Sequence, residues 1–481
     1  MKNFNRFYDK ILNGYESNFV TVAISWLHII KPDIPGYLKN TSFDKKNNYF
    51  LYVLKFIKRI TFYCVYLITD VFYKNKKKNL KKKDIIIISH CLNKHSINKK
   101  KDFYFEKFED ILKKQKKSYC ILLINHTNLN SSYLNQLNKV DNKYVLEKYL
   151  NPFFETKIFY LQIKEFFRLY KLYFFSKNKF EKKCIKNICL SIFDSQTKFS
   201  LRMYLIFKTY LNLIEPSKVI FTHEGFAWER LCIKASKEFN KDIKVIGYQH
   251  SPISKKNLAI LKNINGLYNP NMIWASGNKS FKILNQSKKL NKVKIILSGY
   301  FKKINSYQNQ KKIKLNCLVV PGATVSENLK LFNFSLKCAL KNKLINFTWR
   351  VHPLINFFNI LKKLKLNLNE IPKNIKISKN NFKNDINQNS FVLYNDSTAV
   401  IEAASGGNIP IYLNLKDQPN IDPICDYQKS RIYVSSTKNF VNLFRSPLNY
   451  KRFKKIRNSA REIVSDIYTK INENKLLKSL K

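Results

Sequence analysis

Short apolar runs dense in Ile, Val, Phe and Tyr recur along this chain, and each ends abruptly in polar residues. The first is Ile85-Ile86-Ile87-Ile88, closed by Ser89-His90, and the second is YCILLIN over 119–125. Neither alternates apolar with polar, which is the pattern of strands covered on both faces of a parallel sheet. Similar runs return at 218–222, 243–248, 272–275 and 293–297, with helical stretches at 226–240 and 279–286 between some of them. Residues 155–213 are long, charged and aromatic, and read as helix. A polar stretch rich in Lys, Gln and Asn, 302–314, then introduces a second alternating series. It runs strand 316–320, turn Pro321-Gly322, helix 326–341, strand 346–351, helix 354–363, strand 391–394, helix 398–405 and strand 409–413. Ser405-Gly406-Gly407-Asn408 supplies the stop for the last of these helices.

Strand–helix alternation on both sides of a polar linker predicts an α/β fold of two Rossmann-type doubly wound domains. The boundaries that follow are a helical N-terminal extension over 1–83, an N-terminal Rossmann-like domain over 84–300 and a linker over 301–314. A C-terminal Rossmann-like domain over 315–436 and a helical, basic tail over 437–481 complete the chain. A cleft between two such halves is a favoured place for a ligand.

Composition narrows the function classes. A chain of 481 residues can build two or three domains, each with its own core, and 45% hydrophobic residues exclude a largely disordered protein. The nine cysteines form no CxxC pair and are scattered, so they read as reduced, mostly buried thiols of a cytosolic protein rather than a structural zinc site. The 88 basic against 32 acidic residues give a formal charge of +56. Lysine is spread along the whole chain and arginine is scarce, which is unlike a dedicated nucleic-acid module. Attraction to an anionic membrane surface is a by-product of such a charge.

The start of the chain carries charges of both signs and no apolar core of a secretory signal, so a cytoplasmic location is expected. Residues 49–73 are apolar and aromatic but interrupted by Lys55, Lys58 and Arg59. The uninterrupted part, 60–71, includes Asp70 and is shorter than the ~20 residues of a spanning helix. It reads either as an interfacial helix or as a core helix.

Four strand ends carry residue types suited to chemistry. Thr222-His223-Glu224-Gly225 places a carboxylate before a glycine turn, where Glu224 could act as a general base or cap the helix beginning near Phe226. Glu229, on that helix, could equally pair locally. Gly247-Tyr248-Gln249-His250-Ser251 offers Gln249 and His250 as acceptor contacts, or as a satisfied loop. Arg350-Val351-His352-Pro353 puts two cations on one side of a strand, and Pro353 suits the first turn of a helix; together they make an anion site or a solvated pair. In Asp396-Ser397-Thr398, with Glu402 one turn further on, the hydroxyls could cap the helix or grip a phosphate, and Glu402 could accept from a ribose diol. Gly322 and Thr324, after the first strand of the second series, could let backbone approach the same phosphate.

The order carboxylate-Gly, then His-Pro, then Ser-Thr resembles the bacterial capsule glycosyltransferases that use CMP-activated acidic sugars, namely the polysialyltransferases and Kdo transferases. The teichoic-acid glycerophosphotransferases share the His-Pro and Ser-rich features. The resemblance covers roughly 219–423 and implies a GT-B-like architecture. Where such proteins carry two acids before the glycine, this chain has His223-Glu224-Gly225, so its first acidic position is His. The resemblance implies an inverting, metal-independent transfer of a sugar from a nucleotide-sugar donor to a cell-surface glycan or glycolipid of capsule or lipopolysaccharide. No cofactor and no metal are implied. Glu224 would be the base and His352 the group at the departing phosphate. Gly322, Thr324, Arg350, His352, Ser397, Thr398 and Glu402 would hold the nucleotide, and His223, Gln249 and His250 the acceptor. Two alternatives are a CDP-alcohol glycerophosphotransferase and a non-catalytic basic protein binding a membrane or a nucleic acid.

Overall fold

The computed structural model describes residues 7, 11–12, 18–29, 80–127, 129–253, 259–302, 312–353, 355–414, 422–445 and 449–481. The apolar segment 49–73 and most of the 301–314 linker lie outside the described residues, as does most of the 1–83 extension.

The first sheet has seven parallel strands: β1 (Ile85–Cys91), β2 (Tyr119–Asn125), β3 (Lys143–Val145), β4 (Lys218–Thr222), β5 (Lys244–Gln249), β6 (Met272–Ala275) and β7 (Lys294–Leu297). Their spatial order is β3-β2-β1-β4-β5-β6-β7. Helices α1 (Glu106–Lys114), α2 (Pro152–Phe175), α3 (Lys179–Ile192), α4 (Ser195–Ile214) and α5 (Ala227–Phe239) accompany it. Residue parity explains the unbroken isoleucine run. Ile86 and Ile88 pack into one core with α4 and α5, whereas Ile85 and Ile87 face a second core with Phe108 of α1.

The second sheet has six parallel strands: β8 (Asn316–Val319), β9 (Asn346–Trp349), β10 (Ile375–Ile377), β11 (Phe391–Tyr394), β12 (Ile409–Leu413) and β13 (Ile432–Val434). Their order is β10-β9-β8-β11-β12-β13. Its helices include α6 (Val325–Lys341), α7 (Phe382–Gln388), α8 (Ala399–Ser405), α9 (Asn449–Ile467) and α10 (Glu473–Leu480). Both sheets therefore have the 3-2-1-4-5-6 order of a doubly wound Rossmann domain, with switch points between β1 and β4 and between β8 and β11. The α/β class with two Rossmann-type domains is as the strand pattern predicts.

The tail is not an appendage. Helix α9 packs against the second sheet through Phe453, Ile456, Ala460, Ile463 and Ile467, and α10 then inserts Leu476 and Leu480 into the core of the first domain. At the crossing, the Tyr300 and Tyr468 rings stack with centroids 3.8 Å apart, and the Tyr300 N–H donates to the Thr469 carbonyl. The chain thus passes between the domains twice, side by side. Among the described residues no helix is long and apolar enough to cross a membrane.

Candidate active site at the paired strand ends

Ligands of doubly wound sheets sit beyond the carboxyl ends of strands at the switch point. In the first sheet that point lies between His90, near the end of β1, and Glu224, just after β4. Which carboxylate caps α5 decides what Glu224 is free to do. The cap is Glu229. Its Oε2 accepts the N–H groups of Glu224 (2.9 Å), Gly225 (2.7 Å) and Phe226 (3.0 Å), and His223 Nδ1 lies 3.0 Å from the same oxygen. Burial pushes Glu229 up to about 8, opposed by these backbone donors. Gly225, at φ +85°, makes the turn, and a Cβ there would collide with the Ala259–Ile260 backbone.

With the cap supplied by Glu229, the Glu224 side chain remains 18% exposed, with Oε1 3.5 Å from His250 Nε2. The His250 ring meets Tyr104 edge-on at 4.8 Å, and Tyr104 meets His90 at 5.4 Å. Asp102 holds that loop: its Oδ1 accepts the Ser89 hydroxyl and the Tyr104 and Phe105 N–H groups. His90 Nδ1 is 2.9 Å from His126 Nε2, and its Nε2 is 2.9 Å from the Thr222 hydroxyl. Burial lowers His90 and His250, so both are neutral near pH 7. His90 and His126 carry no motif in the sequence; one stands at the end of an apolar run and the other just after one. Of the chain's seven histidines, His90, His126, His223, His250 and His352 all stand at or just beyond strand ends.

In the second sheet the switch point is framed by Gly322 after β8 and by Asp396-Ser397-Thr398 after β11. Here too a buried glutamate ties the loops: Glu327 accepts the Gly322 N–H at 2.9 Å and the Asp396 N–H at 3.1 Å. A Cβ on Gly322 would collide with the carboxylates of Asp396 and Glu327, so it is these groups that its bare Cα accommodates. Thr324 caps α6, accepting the Glu327 N–H at 3.3 Å. His352 lies close enough to Asp396 for that carboxylate to oppose the lowering of its pKa by burial. Ser397 is buried and Thr398 exposed at the start of α8, where the Val400 and Ile401 N–H groups donate back to the Ser397 and Thr398 carbonyls.

Burial, with Asp396 adjoining, raises Glu327 from 4.5 to about 9. Its contribution to stability is therefore complete below its unfolded value and is lost as pH rises through about 9. Wild-type protein is expected to lose melting temperature on the alkaline side of neutrality, and Glu327→Gln to flatten that loss. Thermal melts across the range test this.

Between the two sheets lies a cavity of about 380 Å³. Lys99, Lys101 and Lys302 border it from one side and Glu402 from the other, with Tyr300 and Tyr468 at its base. Lys302 Nζ sits 3.2 Å over the Phe103 ring, and burial lowers it to about 8. The charges of Glu224 and Glu402 both reach Tyr468 and help burial to raise its phenol.

Three expected contacts are redirected. His223 is fully buried against Glu229 rather than open to an acceptor, because it belongs to the cap. Gln249 is also buried, and its Oε1 accepts the Ser276 N–H at 3.2 Å, which joins β5 to β6. Arg350 turns away from His352: its Nη1 pairs with Asp385 of α7 at 2.6 Å and its guanidinium lies over the Phe382 ring. Strand alternation failed there because β9 ends at Trp349, one residue before Arg350.

No family model and no curated protein sequence matches this chain. Similar solved structures include Anabaena Alr3699/HepE in complex with UDP and glucose, at 10% identity and a TM-score of 0.48 over 83% of this chain and 99% of that one. The glycotransferase of kitacinnamycin is similar at 9% identity and 0.47, over 83% of this chain and 100% of that one. A Neisseria meningitidis UDP-GlcNAc 2-epimerase bound to UDP-GlcNAc is similar at 13% and 0.43, over 83% and 99%.

Proposed function

We propose that the protein is a nucleotide-sugar-dependent glycosyltransferase that inverts the anomeric centre, with a CMP-activated acidic sugar as donor and a cell-surface glycan or glycolipid as acceptor. The observation that carries this reading is the division of labour between two neighbouring carboxylates. Glu229 takes the capping duty, and Glu224 is left beside His250 at a switch point that faces the cleft. In a single displacement the acceptor hydroxyl oxygen attacks the anomeric carbon while Glu224 takes its proton. The bond from that carbon to the donor phosphate breaks, and its electron pair leaves on the phosphate oxygen. His352, Ser397 and Thr398 stabilise that charge, so the step is drawn without a metal. Glu402 accepts from a hydroxyl of the bound donor.

Burial keeps the His352 imidazole below its ordinary value, whereas a phosphate beside it would draw a proton on. Nucleotide affinity is therefore expected to fall as pH rises. Titration of CMP, CDP and UDP followed by thermal stability tests the reading. CMP is expected to stabilise the protein, and His352→Ala or Ser397→Ala to weaken it by roughly ten-fold each. A wild-type protein stabilised by none of the three would overturn the assignment.

A further inference from the structure

The buried face of the 24-residue helix α2 mixes apolar Ile158 and Leu169 with three long polar side chains, while its solvent face is aromatic. Its buried face carries Glu155, Gln162 and Glu165, each at 1–2% exposure. These are satisfied from within: Glu155 by Lys198 and Arg202, Gln162 by the Ile192 carbonyl, Glu165 by Arg168. The solvent face carries Phe153, Tyr160, Phe167 and Phe174 at 71%, 62%, 64% and 62% exposure. Their spacing is seven throughout, so each returns to within ~20° of the last and they form one row about 30 Å long. Lys157, Lys164 and Lys171, all exposed, recur with the same spacing and run beside the aromatic row.

A soluble helix exposed in this way leaves an apolar surface without a partner. We propose that α2 docks the protein on an anionic bilayer, with the aromatic row at the headgroup boundary and the lysine row against lipid phosphates. Aromatic rings with snorkelling lysines are the composition of an interfacial helix. Charge separates this occupant from two others. A second copy related by a two-fold axis would bring lysine row towards lysine row, since the carboxylates of this helix stretch point inward. The chain's own apolar segment, 49–73, is interrupted by Lys55, Lys58 and Arg59, and so has the same sign. The inference stands apart from the proposed transfer reaction, because it uses none of the strand-end residues.

The test is co-sedimentation of the full chain with vesicles of phosphatidylcholine alone or mixed with phosphatidylglycerol. Wild-type protein is expected to bind the mixed vesicles, and added salt to weaken it. The combined variant Phe153→Ser, Tyr160→Ser, Phe167→Ser and Phe174→Ser is expected to bind at least roughly ten-fold more weakly. Lys157→Glu, Lys164→Glu and Lys171→Glu together should remove the preference for the anionic lipid. Wild-type protein that ignores the mixed vesicles, or a serine variant that binds them equally, overturns the proposal. So does a dimer that the serine variant dissociates without vesicle binding. Should the serine variant fail to fold, Phe167→Trp with brominated lipid decides: quenched fluorescence supports the docking, and unquenched fluorescence overturns it.

Discussion

Glu224→Gln is expected to lower sugar transfer by about a thousand-fold or more while leaving nucleotide affinity near that of the wild type. The amide keeps the size of the side chain and its contact with His250, but cannot take a proton from a hydroxyl. The split between chemistry and binding is the informative part. The groups assigned to the nucleotide, His352, Ser397 and Thr398, follow strands of the other sheet. Removing the base should therefore leave them undisturbed. Transfer assays paired with nucleotide titrations on the same preparation read both quantities. Full transfer by Glu224→Gln would remove this residue from the reaction and leave His250 or His90 as the groups to test next.

Glu229→Ala is expected to cost about 3–5 kcal/mol of stability, a much larger change than any at the exposed strand ends. One carboxylate oxygen gathers three N–H donors and the His223 ring in a site only 1% exposed. Alanine would leave those donors buried and unpaired, and would leave a void beside a fully buried imidazole. Glu229→Gln retains one acceptor oxygen, and an intermediate loss of about 1–2 kcal/mol is expected. Urea midpoints for the three proteins test the order. Because these donors shape the turn that carries Glu224, the alanine variant should also lose transfer at temperatures where it is still folded.

The contrast between these two glutamates shows what sequence pattern conveys and what it does not. Unalternated runs of Ile, Val and Phe identify strands buried on both faces, so β1, β2, β4 and β11 are legible at once. The three-residue strands β3, β10 and β13 are too short to carry a period, and sheet closure alone reveals them. Glu224 and Glu229 lie within about one helical turn of each other. Nothing local says which is turned inward to the turn's N–H groups and which is left partly exposed beside His250. Arg350 is similar: its partner Asp385 is 35 positions away, and the pairing exists only because α7 is brought beside the end of β9. The histidines His90 and His126 were hidden for the opposite reason. Each looks like an unremarkable end to an apolar run until strand order sets the two ends side by side.

The return of α10 beneath the first sheet has a consequence for how the protein is made. Leu476 and Leu480 share a core with Ile85, Ile87 and Phe301, and the Trp274 indole donates to Ser479 at 3.0 Å. The first domain is thus missing part of its interior until residues 476–480, which follow the second domain in the chain, have been made. It cannot finish folding in order of synthesis, as the leading domain of a multidomain chain ordinarily does. Loss of residues 473–481 would therefore leave the first domain open along a hydrophobic seam. The same closure makes the two halves a single unit of quality control, because the first is sealed by residues that follow the second in the chain.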